Sequence, residues 1–200
     1  MTALRDDRRI ELTVEQFLDW LGDGSGAKFQ LIDGTPRAMA PASADRGVIQ
    51  LNIGSIIGTH LMQAGSKCRI ATEAPVIPAF KSRKNARAPD VAVACSPPSK
   101  SRVFDDPILI VEVLSPGNAD ETWESIRALA GVRSLLEILV VNSARVEAEL
   151  WRRTPGEDWA QEPIAVAGPG SSLRLETVGV ELLIAEVYRM TLLEDEARRA

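Results

Sequence analysis

Histidine is almost missing from this chain. Its 200 residues contain one, His60, so a histidine general base has a single candidate. That residue lies in an expected helix with no nucleophile pattern around it, which gives no support to a serine-type triad. Cysteine is scarce too, with only Cys68 and Cys95. Two cysteines do not make a disulfide framework, and in strand-like apolar stretches of a cytosolic protein they read as buried thiols. No cysteine or histidine cluster has zinc spacing. No apolar run reaches the ~18 residues of a membrane span, and Met1 to Glu11 is charged, without an apolar leader core. The expected location is therefore the cytoplasm. Net positive charge is also lacking. The chain carries 23 Lys and Arg against 28 Asp and Glu, a net charge of −5. This disfavours a protein that coats nucleic acid but leaves room for a local basic groove.

What is present fits one domain with a substantial core. Hydrophobic residues make up 45% and charged residues 26%, ordinary values for a globular protein. Thr13 followed by Gln16 forms a capping-box pattern, and Val14, Phe17, Leu18 and Leu21 recur at helical spacing. Gly22 to Lys28 is glycine-rich, but it lacks Gly-Lys-Ser/Thr and sits between a helix and a strand, the reverse of a P-loop. Phe29 to Ile32 and Thr35 to Ala40 predict a hairpin turning at Asp33-Gly34. Asp45 to Ala64 predicts a long helix, with Ile49, Ile53, Ile56, Ile57 and Leu61 on one stripe and Gly65 ending it. Extended segments are expected at Lys67 to Thr72, Pro75 to Phe80, Val91 to Cys95, Ile108 to Leu114 and Leu136 to Val141. The run Ile108-Leu109-Ile110-Val111 suits a central strand covered on both faces. Asp120 to Ala130 reads as a helix, Val146 to Leu150 as a half-exposed strand, and Val180 to Met190 as a last short helix. This order implies an α/β core with a mixed sheet. Trp123, Trp151 and Trp159 read as packing residues rather than base-stacking platforms.

Two carboxylates stand out on neighbouring strands. Asp90 follows Pro89 and opens one strand, and Glu112 lies near the end of the next, on the same face as Ile110 and Leu114. An ionised carboxylate among apolar neighbours must be compensated. A divalent cation is one compensation, since Mg²⁺ often takes one or two carboxylates and keeps several waters. A structural ion pair is the other, and Arg87, three residues before Asp90, is a partner for either acid. Spacing alone leaves both readings open. Glu73 is a further candidate acid, with a solvent-facing strand position as its alternative. Lys81, Arg83, Lys84 and Arg87 place four positive charges in seven residues just before Asp90. Such a loop either holds backbone phosphates or is a solvated turn.

Several segments, in this order and spacing, resemble the Uma-two family of restriction endonucleases, a branch of the PD-(D/E)XK nuclease superfamily. They are Phe29 to Gly34, Met39-Ala40-Pro41, Arg87 to Val93, Val111 to Pro116, Ser134 to Val141 and Glu149 to Arg153. The resemblance covers about Leu12 to Tyr188. It implies an α/β fold, a restriction-endonuclease-like mixed β-sheet flanked by helices. It also implies a nuclease core over about residues 12–153, with a C-terminal extension over 154–200, in a single domain of 1–200. By the same resemblance Asp90 and Glu112 are the two motif acids, and the activity is hydrolysis of DNA phosphodiester bonds with Mg²⁺ or Mn²⁺.

The departures from that pattern fall at the catalytic positions. The superfamily lysine, two residues after the second acid, is Leu114. The lysine that this family supplies from the following helix corresponds to Ser125, and no lysine follows Lys100. The family's early Glu is Gln30, and its His at the start of the long helix is Arg46. A lysine that steadies transition-state charge contributes about a few kcal/mol, so its loss slows chemistry unless Arg127 or Arg46 substitutes. Arginine's broad planar head makes it an imperfect replacement. Two functions follow from this. One is a weakened metal-dependent endonuclease, with Asp90 and Glu112 as metal ligands, Gln30 orienting a water or ligand, and Lys81, Arg83, Lys84 and Arg87 facing DNA. The other is a catalytically silent nuclease fold that binds nucleic acid or a protein partner. The resemblance also implies a homodimer, as for nucleases that cut both strands.

Overall fold

The computed structural model describes residues 10–41 and 43–199. Helix α1 (Val14–Asp19) starts at the expected capping box: the Thr13 N–H donates to Gln16 Oε1 (2.8 Å), and Thr13 Oγ1 accepts the Gln16 N–H (3.3 Å). Strands β1 (Phe29–Ile32) and β2 (Thr35–Ala38) form an antiparallel hairpin. Its turn residues Asp33 and Gly34 have φ of 48° and 84°, the left-handed pair that a type I′ turn requires. The hairpin is tied to the segment before Asp90 by reciprocal Leu31–Ala86 backbone bonds of 2.9 and 3.0 Å. Val14, Leu31 and Ala86 form a small core beneath it.

The centre is a six-stranded mixed sheet. It comprises β3 (Arg69–Thr72), β4 (Val91–Ala94), β5 (Pro107–Leu114), β6 (Glu137–Asn142), β7 (Ala148–Arg152) and β8 (Ala165–Ala167), arranged in that order. Only β5 and β6 run parallel, and helix α3 (Ala119–Leu129) makes the crossover between them. Helix α2 (Ala44–Gln63) covers the face carrying Leu109, Val111 and Val113, through Ile49, Ile53, Ile57 and Leu61. Helix α3 covers the opposite face, where Ile126 and Leu129 meet Ile110, Ile138 and Val140. The two-residue period of β5 therefore divides it between two cores, which is why its sequence is apolar at almost every position.

The C-terminal residues join the same core. Strands β9 (Ser172–Leu175) and β10 (Val180–Leu183) form a hairpin, followed by the short helices α4 (Ile184–Val187) and α5 (Glu194–Ala197). The expected helix over Val180 to Met190 is thus corrected. Val180 and Leu182 are buried while Glu181 and Leu183 point outward, a strand period, and helix begins only at Ile184. Glu137, fully buried at the start of β6, accepts Arg152 Nε at 2.7 Å, Glu176 N–H at 3.1 Å and Thr177 N–H at 3.0 Å. Tyr188 is fully buried, and its hydroxyl lies 2.7 Å from the Asn142 carbonyl and 3.0 Å from those of Arg145 and Glu147. It also accepts the Glu147 N–H at 3.1 Å. Burial pushes this phenol up to about 12.

Two other expectations change. Pro75 to Phe80 is not a strand; it makes one bridge, between Val76 and Arg87. The cysteines are not free thiols: Cys68 and Cys95 are joined in a disulfide, with Cys95 exposed. The antiparallel register pairs Arg69 with Ala94, so one step further along β3 and β4 sets the two cysteines opposite each other. The tryptophans do pack, with Trp123 against Trp151 edge-to-face at 6.3 Å and Trp159 donating to the Ala130 carbonyl at 2.8 Å. Among the described residues no helix is long and apolar enough to cross a membrane.

Tyr188→Phe should keep the fold but leave buried carbonyls of the β6–β7 turn without their donor. We expect a stability loss of about 1–3 kcal/mol, read as a lower urea midpoint with an unchanged slope.

Candidate active site

The β4–β5 register pairs Val91 with Val111 and Ala92 with Ile110. One residue beyond the last pair, Asp90 comes to stand across from Glu112. Both side chains are buried, at 2% and 4% residue exposure. Two carboxyl groups meet at the point where the ladder ends, and the protein compensates them unequally.

Asp90 is well supplied. Arg46 Nη2 lies 2.9 Å from Oδ1 and 3.0 Å from Oδ2, and the Val113 N–H donates to Oδ2 at 2.7 Å. Gln50, one turn further along α2, donates to the Asp90 carbonyl at 2.9 Å. Burial pushes the Asp90 carboxyl up, and the Arg46 charge and the Val113 N–H oppose that push. With three close donor contacts the group is the ionised half of a buried ion pair. Glu112 has much less. Its side-chain hydrogen-bond partner is Ser125 Oγ, at 3.4 Å. Burial first, then the neighbouring Asp90 charge, drive its carboxyl well above the ordinary value.

Glu112 borders a small cleft lined also by Gln30, Met39, Arg46, Glu121 and Ser125 among others, and Asp90 lies behind Arg46. The structure thus gathers Gln30, Arg46, Asp90 and Glu112, four of the residues that the sequence singles out. Ser125 faces Glu112 from α3, at the position where the resemblance places a lysine. Arg127 is not gathered: it is exposed and does not line the cleft. Two residues along a helix rotate a side chain by about 200°, which carries Arg127 to the far side of α3 from Ser125. Arg87 is not the acids' counter-ion either. It is buried, its Nη2 lies 3.6 Å from Glu124 on α3, and its Nε and Nη1 have no hydrogen-bond partner among the described residues.

The basic loop is largely committed to holding the hairpin. Lys81 pairs with Asp33 at 2.7 Å, Lys84 pairs with Glu11, and the Arg83 carbonyl accepts the Val14 N–H. The Arg83 side chain stays exposed. Glu73 stands near the acids in a left-handed backbone conformation (φ 51°), its N–H donating to the Pro89 carbonyl at 3.0 Å. Its charge adds to the upward push on Asp90. Its partner is Lys28, a residue that the sequence reading considered only within a failed P-loop. Lys28 stands one residue before β1 and two before Gln30, a spacing that would set the two on one side if the extended backbone continues to it. Lys28, Met39, Arg46 and Glu73 line a groove adjoining the cleft. Among the described residues no three His, Cys, Asp or Glu side chains cluster as a ligand set.

This architecture, a mixed sheet with acids at the end of two central strands, defines a restriction-endonuclease-like α/β protein. A family model described as "Putative restriction endonuclease", Uma2, matches residues 14–185, and the chain belongs to that family. The fold is also that of the crystal structure of "a putative nuclease belonging to DUF820 from Anabaena variabilis ATCC 29413". The TM-score is 0.68 at 15% identity, covering 88% of this chain and 97% of that one. No curated protein matches the chain.

A carboxyl whose folded-state value is raised contributes stability that is complete below the ordinary value and is lost as pH rises. For Glu112 that decline starts near pH 4.5. Glu112→Gln should remove it. In metal-free buffer we expect the variant to match the parent near pH 4.5 and to exceed it above neutrality by about 1–3 kcal/mol, the cost of a buried polar group left uncompensated. Thermal melts across pH check this.

Proposed function

We propose that the chain is a Mg²⁺- or Mn²⁺-dependent DNA endonuclease of reduced turnover. The observation that carries this reading is that Asp90 and Glu112 stand opposite each other just past the β4–β5 ladder, with Glu112 and Arg46 lining a cleft. The residues suit a divalent cation. Both acids are buried, and among the described residues the side-chain donor that Glu112 finds is Ser125, at 3.4 Å. Mg²⁺ accepts one or two carboxylates and completes its shell with water. Asp90 and Glu112 would hold it, with the Gln30 amide within the same cleft to orient a water. When bound, the cation supplies an activated water and counter-charge for the phosphate. In the net reaction that water's oxygen bonds to phosphorus, one phosphorus–oxygen ester bond breaks, and the departing alcohol oxygen takes up a proton. Arg46 is the cation of this chain that lines the cleft, so it is the stand-in for the absent lysine. Lys81, Arg83, Lys84 and Arg87 are proposed contributors to DNA binding through Arg83 above all, since the other three are paired or buried.

Two observations favour a second reading, a silent nuclease fold that binds nucleic acid or a protein partner. Arg46 already neutralises Asp90, and Ser125 occupies the lysine position. The discriminating experiment is a nicking assay on single- and double-stranded DNA with Mg²⁺ and Mn²⁺. We expect slow cleavage by the parent and none by Asp90→Asn. Ser125→Lys should accelerate it about ten-fold or more, within the range of a single stabilising donor. Metal binding without cleavage, in Ser125→Lys as well, would establish the silent module instead.

A homodimer goes with cutting of both strands. The outer face of α2 and the edge strand β3 offer a groove with Leu51 and Met62 exposed at 68% and 77%. Light scattering at micromolar concentration should give the dimer mass; a monomer throughout would remove this part of the proposal. A DNA substrate goes with a cytoplasmic location, in which the Cys68–Cys95 bridge would be open to reduction.

A further inference from the structure

We propose that Arg46 and a divalent cation compete for one place on Asp90, so that the site carries its own displaceable counter-ion. This rests on the reading of Asp90 and Glu112 as a metal-holding pair and adds how that pair is kept when no metal is bound.

The contact geometry is the first ground. A single nitrogen, Nη2, sits end-on between the two Asp90 oxygens at 2.9 and 3.0 Å. Oδ2 also accepts the Val113 N–H at 2.7 Å, so a cation held by Asp90 would have to share these oxygens with the guanidinium or displace it. Arginine's strongest hold on a carboxylate is a two-nitrogen fork, and here it is not made. Arg46 Nε is buried with no hydrogen-bond partner among the described residues, so the guanidinium is incompletely satisfied where it stands.

The second ground is that Arg46 can leave without unfolding its surroundings. Its backbone is fixed independently: the Ser43 hydroxyl caps α2 by accepting the Arg46 N–H at 3.3 Å, and Gln50 holds the Asp90 carbonyl at 2.9 Å. Only side-chain torsions need to change. A destination also exists. Arg46 lines both the cleft and the adjoining groove that holds Glu73, and a phosphodiester lying there would offer a further acceptor. Arrival of the cation at Asp90 and departure of the guanidinium toward an anion in the groove are thus two halves of one exchange. Without metal, Arg46 spares the fold an unpaired buried carboxylate, which is costly.

If the vacated state is about one molecule in ten, the apparent metal affinity of the parent is reduced about ten-fold. The test is calorimetric titration with Mn²⁺ of the parent, Arg46→Gln and Asp90→Asn, with melting temperatures measured in parallel. We expect weak binding by the parent, binding about ten-fold tighter by Arg46→Gln, and none by Asp90→Asn. Arg46→Gln should melt lower than the parent without metal and gain more than the parent from each addition of Mn²⁺. Equal affinities in parent and Arg46→Gln would overturn the competition while leaving the metal site standing. No binding by either folded protein would overturn the metal-site reading and the competition together. Should Arg46→Gln fail to fold, nitrogen-15 spectra of the parent's arginine side chains report the same exchange. Mg²⁺ should shift the Arg46 guanidinium signals, and binding that leaves them unmoved would overturn the proposal.

Discussion

Strand β4 is zipped to β5 with Val91 opposite Val111. A slip of one residue would turn Val91 and Val93 away from α2 and expose the other core to the wrong side chains. The same register that sorts these apolar residues between two cores also sets Asp90 against Glu112 just past the end of the ladder. The acids therefore need no dedicated scaffold, because their juxtaposition is enforced by the burial of residues whose only role is packing. Removing either carboxyl leaves the constraint in place, whereas disturbing the packing would separate the pair.

Two acids and one guanidinium then share a space largely closed to water. Arg46 settles on Asp90, which has a backbone N–H to support its charge, and Glu112 is left with Ser125. A buried carboxylate is tolerable only with such support, so the asymmetry follows from how many donors each side chain finds. Ser125 brings a short hydroxyl and no charge to this space, so Arg46 is the cation that lines the cleft.

Much of this was legible in the sequence because it is local. The capping box at Thr13, the Asp33-Gly34 turn, the stripe of α2 and the unbroken apolar run of β5 each carry their cause within a few residues. The two acids were legible too, as charges embedded in apolar strands. What escaped depends on residues far apart in the chain. Arg46 reaches Asp90 across 44 positions, and nearby Arg87, the natural guess from spacing, turns instead to Glu124 on α3. The Cys68–Cys95 bridge follows from strand register, not from composition. Val180 to Met190 looked helical because its alternation is only four residues long before the chain turns into α4. The side of α3 on which Arg127 would emerge depended on rotation about the helix axis, and Ser125 had already claimed the inner side.

The C-terminal segment has a bearing on how the fold can be divided. Glu137 lies in β6, well inside the region that the motifs delimit, yet backbone groups of Glu176 and Thr177 satisfy it. Tyr188 likewise closes the turn between β6 and β7, and Asn52 of α2 donates to the carbonyls of Val187 and Arg189. A chain shortened to the motif-bearing portion would thus inherit an interior carboxylate held by Arg152 alone, an open turn and an unpartnered amide on its principal helix. In this lineage the tail is not an appendage that recombination could exchange freely. Swapping it onto a related core would succeed only where the recipient carries matching polar sockets on its β6 and its long helix.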